Sequence, residues 1–231
     1  MMAKDQKKKQ EKAMKRRRKK KAADKQRHEV KLSTTPLGVV KRAQSFPIRE
    51  CLINDDWDQK SNTGLTRIVI TREQPDGLLI TGTFLVDMFC LGLKDTHFIA
   101  NLRPKIYYDE VLEKMYFDVS YAQCSPELAH QIIYGAIDYA SQFGFKPHKD
   151  FKMSRYMLEK RGTYPEEHPI EFGRDGKPVY FAGPYDNPKA IIAKLEKNAG
   201  AGNYGYIAQA TPFHDDDLFD DDEDEEDFDD E

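Results

Sequence analysis

The residues best suited to chemistry lie in FLVDMFCLGLKDTHF, residues 84–98, where Asp87, Cys90, Asp95 and His97 punctuate the most apolar run of the chain. Read as one strand, alternation sends Phe84, Val86, Met88 and Cys90 to one face and Leu85, Asp87, Phe89 and Leu91 to the other. Both faces are then largely apolar, as in a central strand, which leaves Asp87 partly buried. A carboxylate there either rises in pKa or is held ionised by hydrogen bonds or a cation. Active sites and structural aspartates share that physics. Asp95 and His97 have the spacing that shares a strand face, and with Asp87 they could make an oxygen-and-imidazole metal site. The alternative for Asp95-x-His97 is a turn at the end of a strand. Cys90 reads as a small core residue, since nothing beside it in sequence would lower its pKa.

A second set sits on the strongest helix signal, SPELAHQIIYGAIDYASQFG. Ser125 is a natural N-cap, Pro126 suits the first helical position, and Gly144 suits the residue past the end. Leu128, Ile132, Ile133, Ala136, Ile137, Ala140 and Phe143 form one stripe that must bury against a sheet. Beside it His130, Tyr134 and Asp138 line up at i, i+4 and i+8, either to orient a general base or as an ordinary half-solvated face. GFKPHKDF adds His148 and Asp150, the latter explained as an N-cap. A metal-assisted hydrolase or nuclease would use Asp87, Asp95 and His97 as ligands, with Asp87, His130 and His148 as the candidate catalytic groups. That reading requires the strand and the helix to bring these side chains together.

The elements that would position them follow from local pattern. TRIVITRE and LLITGTFLVDMFCLG flank the turn cluster QPDG, giving a hairpin of residues 66–72 with 77–91. LKDTHFIANL extends the sheet, and DEVLEKMYFDV reads as a short helix. A helix after Asp150 covers FKMSRYMLEK. IEFGRDGKPVYF reads as a hairpin with Asp175-Gly176 at its tip, and Asn187-Pro188 opens a helix over KAIIAKLEK before a last strand in NYGYIAQ. GAGNYG follows a helix instead of joining a strand to one, so it is read as termination and turn, and no cofactor is called for. The expected class is α+β, with a largely antiparallel sheet, two to four packed helices and disordered charged tails.

Charge divides the 231 residues further. Residues 1–31 hold 15 Lys and Arg against 4 Asp and Glu, residues 215–231 hold 14 acidic side chains and no basic one, and the stretch between is nearly neutral. The expected organisation is a basic arm (1–31), a linker (32–46), a globular domain (47–213) and an acidic tail (214–231). Three distant cysteines with no C-x-x-C pair indicate neither a disulfide framework nor a structural zinc site. No apolar h-region follows the amino-terminal charge and no run of about 18 apolar residues occurs, so a non-membrane, cytoplasmic protein is expected, or a nuclear one in a eukaryotic cell.

Lys15, Arg16, Arg17, Arg18, Lys19, Lys20 and Lys21 make the densest positive run, the kind that contacts phosphate backbones through counterion release without reading sequence. In DDDLFDDDEDEEDFDDE, Phe219 and Phe228 are ringed by charge, which suits short anchors for a protein partner's groove. This terminus resembles the acidic tails by which single-stranded-DNA-binding proteins recruit partners, over these 17 residues only and without a terminal proline-phenylalanine. The preferred reading is a nucleic-acid- or ribosome-associated interaction protein, binding RNA or DNA through its basic arm and modulated by its acidic tail. The hydrolase above and a structural module of a larger assembly are the alternatives.

Overall fold

Leu65–Glu73 (β2) and Leu79–Asp87 (β3) pair antiparallel in continuous register from Leu65↔Asp87 to Glu73↔Leu79, as the β-branched alternation around QPDG predicts. They lie inside a five-stranded antiparallel sheet of order β4-β3-β2-β1-β5, with β1 Ile48–Asn54, β4 Gly92–Leu102 and β5 Tyr121–Gln123. The computed structural model describes residues 14–21, 34–58, 63–165 and 168–207. The α+β class with an antiparallel sheet is therefore correct.

Both faces of the sheet are covered, which is why the strand centres, Ile68–Ile70 and Phe84–Val86, read as unbroken apolar runs. On one face Cys51, Ile53, Ile68, Ile70, Phe84 and Val86 meet helix α5, Pro126–Gln142, through Ala129, Ile132, Ile133 and Ala136. Ser125 caps α5 by accepting the Leu128 N–H at 3.1 Å, and Gly144 takes φ +81° past its end. On the other face Leu52, Val69, Leu79 and Leu102 pack against Tyr107, Leu112 and Tyr116. That cover is a short helical run, α3 (Pro104–Ile106), a π-helical stretch (Tyr107–Leu112) and α4 (Glu113–Met115), which starts earlier than the pattern in DEVLEKMYFDV suggests.

Four expectations change. The strand expected over residues 77–91 is shorter: β3 ends at Asp87, residues 88–91 turn, and β4 returns. The stretch expected to be a linker contributes helix α2, Pro36–Val40, and a 3-10 turn, Ala43–Ser45, with Val39, Val40 and Ala43 buried in the main core. The expected hairpin at Asp175-Gly176 shrinks to a single bridge between Arg174 and Lys177, because Val179–Phe181 (β6) pairs in parallel with Gly205–Ile207 (β7) instead. Asp150 precedes α6, Phe151–Ser154, but makes no side-chain cap hydrogen bond. Helix α7, Pro188–Ala199, is capped as expected, with Asn187 accepting the Ala190 N–H at 3.1 Å. Among the described residues no helix is long and apolar enough to cross a membrane.

Helix α5 seats on β4 at Gly92, whose φ is +71° and whose missing Cβ would lie 2.8 Å from Ala140 Cβ and 2.9 Å from the Ala136 carbonyl. Gly77, in the β2–β3 turn, has φ +79° and open space around it. Gly77→Ala is expected to cost about 1 kcal/mol through backbone strain alone, whereas Gly92→Ala adds overpacking for a total of about 3 kcal/mol. Urea midpoints of the two variants check this; equal losses would show that the helix does not rest on that glycine.

Candidate functional site

The turn that ends β3 is built by Asp87. Its Oδ1 accepts the backbone N–H groups of Phe89 and Cys90, each at 2.9 Å, so the carboxylate closes the loop that reverses the chain into β4. The carbonyls of Met88 and Phe89 then accept the N–H groups of Gly173 (2.9 Å) and Val179 (3.0 Å), which fastens the carboxy-terminal segment to the same turn. Burial pushes the Asp87 carboxyl up to about 6, against the opposing pull of the Leu91 N–H, Lys94 and the N–H groups of Phe89 and Cys90. Cys90 is fully buried beside Tyr180 and Leu195, and burial raises its thiol pKa well out of the reactive range. Lys94 is held by Asp186 at 2.9 Å, whose carboxylate also accepts from Tyr180 Oη (3.2 Å) and the Gly183 N–H (2.9 Å).

Asp95 and His97 do share a face of β4, and the loop after α5 reaches them because the His148 N–H donates to the Leu93 carbonyl at 3.0 Å. Asp95 Oδ1 stands 3.7 Å from His97 Nε2 and 3.8 Å from His148 Nδ1, and Asp150 Oδ2 is 3.8 Å from the same His148 nitrogen. Of these side chains His97 is largely exposed, Asp95 and Asp150 are about half exposed, and His148 is mostly covered. Among the described residues no group of three or more His, Cys, Asp or Glu is arranged to hold a metal ion, and Asp87 is bound into its turn. Asp87, Asp95 and His97 are thus not brought together as a ligand set.

His130 lies apart from that cluster, in a cleft of about 340 Å³ between α5 and residues 161–165 and 168–172. Its Nε2 donates to the Glu159 carbonyl at 3.0 Å, and its ring packs on Tyr134 and edge-on against Tyr164 at centroid distances of 4.5 and 5.3 Å. Burial lowers its pKa, opposed by the Glu159 carbonyl, so the imidazole is neutral at pH 7. Asp138 is paired with Arg161, whose guanidinium sits 5.1 Å over the Tyr134 ring. The His130–Tyr134–Asp138 row therefore holds a loop against the helix. Arg161 and Tyr164 had no local signal in the sequence, since they meet α5 only through the fold.

The other face offers an open groove of about 730 Å³ between β3–β4 (Thr83, Leu85, His97, Ile99) and the α3–α4 cover (Ile106, Val111, Met115, Phe117). At the amino terminus, residues 14–21 form helix α1, which carries Lys15, Arg16, Arg17, Arg18, Lys19, Lys20 and Lys21, all exposed. Phe219 and Phe228 lie outside the described residues. The chain shows no significant match to any known protein family, curated protein or solved structure.

The raised Asp87 pKa has a testable sign. Between about pH 4 and 6 the folded chain holds a proton that the unfolded chain releases, so this group's contribution to stability falls as pH rises through that window, by on the order of 3 kcal/mol in all. Asn in its place keeps the Oδ1 acceptor and cannot ionise. Denaturation of Asp87→Asn and the wild type across that range should show the difference growing in favour of Asn with pH; a constant difference would mean that Asp87 is not buried as described.

Proposed function

We propose that this chain is a nucleic-acid-associated interaction protein whose α1 helix contacts the phosphates of RNA or DNA, free or within a ribosome. The observation that carries the reading is the helix itself: seven consecutive cations, every one exposed, on eight residues. A helix of that length rises about 12 Å, or one positive charge per about 1.7 Å, which is the axial charge density of duplex DNA with the sign reversed. Like charges at i, i+4 along these residues repel one another. A polyanion relieves that repulsion and gains the counterions released. The hydrolase reading has less support, because Asp87 is engaged by backbone N–H groups and His130 is tied to Glu159.

Full-length protein with Lys15 to Lys21 all replaced by Gln is expected to bind an oligonucleotide weakly, with the slope of log K against log salt reduced by about 5. An unchanged slope would remove the arm from the interface.

The acidic tail, 14 carboxylates in residues 215–231, acts in this reading as a tethered competitor for the arm, at an effective concentration of up to about millimolar. Its phenylalanines are left for a protein partner. Deleting residues 215–231 is expected to tighten oligonucleotide binding at moderate salt, and equal affinity before and after deletion would refute the competition.

A further inference from the structure

On the described surface some cations sit beside carboxylates, Arg49 with Glu73, Arg67 with Asp118, Lys105 with Asp109 and Arg161 with Asp138, and others, such as Lys114, Lys146, Lys189 and Lys197, do not. The segment 149–157 gathers three of the second kind on one short stretch. Lys149, Lys152 and Arg155, spaced by three through α6 and the 3-10 turn Arg155–Met157, are all exposed, while Ser154 and Met157 turn inward. Three-residue spacing on such a short α/3-10 run puts the three cations on one ridge. Among the described residues none of the three has a carboxylate partner, and Asp150, the acid between them, faces His148.

This ridge is locked beside a second pair of cations. The buried Arg72 guanidinium donates to the Phe46 carbonyl at 2.7 Å and to the Met157 carbonyl at 3.1 Å, and Gln44 Nε2 donates to the Leu158 carbonyl at 2.6 Å. One side chain thus clamps the end of the Ala43–Ser45 turn to the end of the Arg155–Met157 turn. Lys41 and Arg42, both exposed, open the first of those turns, and Lys41 too has no carboxylate partner among the described residues. Each side also carries a half-buried ring under a cation, Phe46 beneath Arg42 at 5.9 Å and Tyr156 beneath Arg155 at 5.4 Å. Clustering Lys41, Lys149, Lys152 and Arg155 with no paired carboxylate among the described residues opposes folding, and an external anion relieves it.

We propose that Lys41, Arg42, Lys149, Lys152 and Arg155 form a second phosphate-contacting surface, on the folded domain itself, that binds single-stranded nucleic acid together with α1. Cations track the phosphodiester chain, and the Arg42 and Arg155 guanidinium planes, backed by Phe46 and Tyr156, offer faces on which unpaired bases stack. The surface deepens the proposed function and rests on it for the identity of the ligand. It also lies where the arm enters the fold: Thr34 accepts from Asn101 Nδ2 at 3.4 Å, and α2 follows directly. The residues from Lys21 to Thr34 can span at most about 43 Å, enough for both surfaces to engage one strand and raise avidity without new contacts.

The test uses full-length chain with Lys41→Glu, Lys152→Glu and Arg155→Glu combined, alone and on top of the Lys15–Lys21 Gln replacement, against a labelled single-stranded oligonucleotide of about 20 residues and its duplex. All three positions are exposed, so the melting temperature should hold; a Lys152→Gln, Arg155→Gln pair serves if it does not. Expected is a loss of at least about tenfold for the single strand, with a salt slope shallower by about 2, in both backgrounds. Restored charge in Lys41→Arg and Lys152→Arg should retain wild-type affinity. Wild-type binding by the triple variant in both backgrounds overturns the proposal, as does a loss confined to duplex or to anionic vesicles. If instead the arm replacement alone has no effect while the triple variant loses affinity, the arm reading fails and this surface stands.

Discussion

Two hydrogen bonds from backbone N–H groups to one buried carboxylate decide the shape of this chain. By accepting from Phe89 and Cys90, Asp87 turns an apolar run that would otherwise continue as a strand, and so creates β4 as a separate edge. From β4 follow the seat of α5 at Gly92, the anchoring of the 145–150 loop through His148 and Leu93, and the gathering of Asp95, His97 and His148. The turn's free carbonyls at Met88 and Phe89 receive the segment leading to β6, so the carboxy-terminal parallel pair depends on the same few residues. Burying that carboxylate is unfavourable in itself, and the N–H groups and Lys94 offset only part of the cost, which is why its pKa remains raised.

Asp87 and His130, the buried members of the candidate site, thus have structural employment. Arg72 is the counterpart of Asp87: nearly inaccessible, it donates to Phe46, Met157 and Glu159 and joins the amino-terminal turn to the 155–157 turn. Breaking such a buried pair from one side is far more damaging than either charge is worth in net stability. The exposed cations of α1 and of the 149–155 ridge have no comparable task within the described residues, and association with a polyanion gives them one.

What could be read in advance was what local physics determines. The β2–β3 hairpin, the caps of α5 and α7 and the α5 stripe each carry their signal within a few residues. The break at Asp87 did not, because with both sheet faces buried a strand residue and a turn residue can look equally apolar, and only the carboxylate's reach back to residues 89 and 90 tells them apart. The pairing of β6 with β7 joins three-residue segments across an intervening helix, a long-range choice that the tight Asp175-Gly176 turn concealed. Val39, Val40 and Ala43 were hidden by the Ser, Thr, Pro and Gly around them, which suggest a linker although the apolar residues among them belong to the core. The approach of Lys41 and Arg42 to the 149–155 ridge arises from Arg72, which bonds to carbonyls 26 and 85 residues away, so no window of sequence contains it.

Hydrogen–deuterium exchange on the full-length chain, with and without a single-stranded oligonucleotide, separates structural from functional polar groups most directly. Exchange should slow in residues 14–21 and around 149–155 on binding, while the Asp87–Leu91 turn and the His130 cleft exchange as they do in the free protein. Protection that appeared at the turn or the cleft, with residues 14–21 unaffected, would place the ligand inside the fold and contradict the division of roles described above.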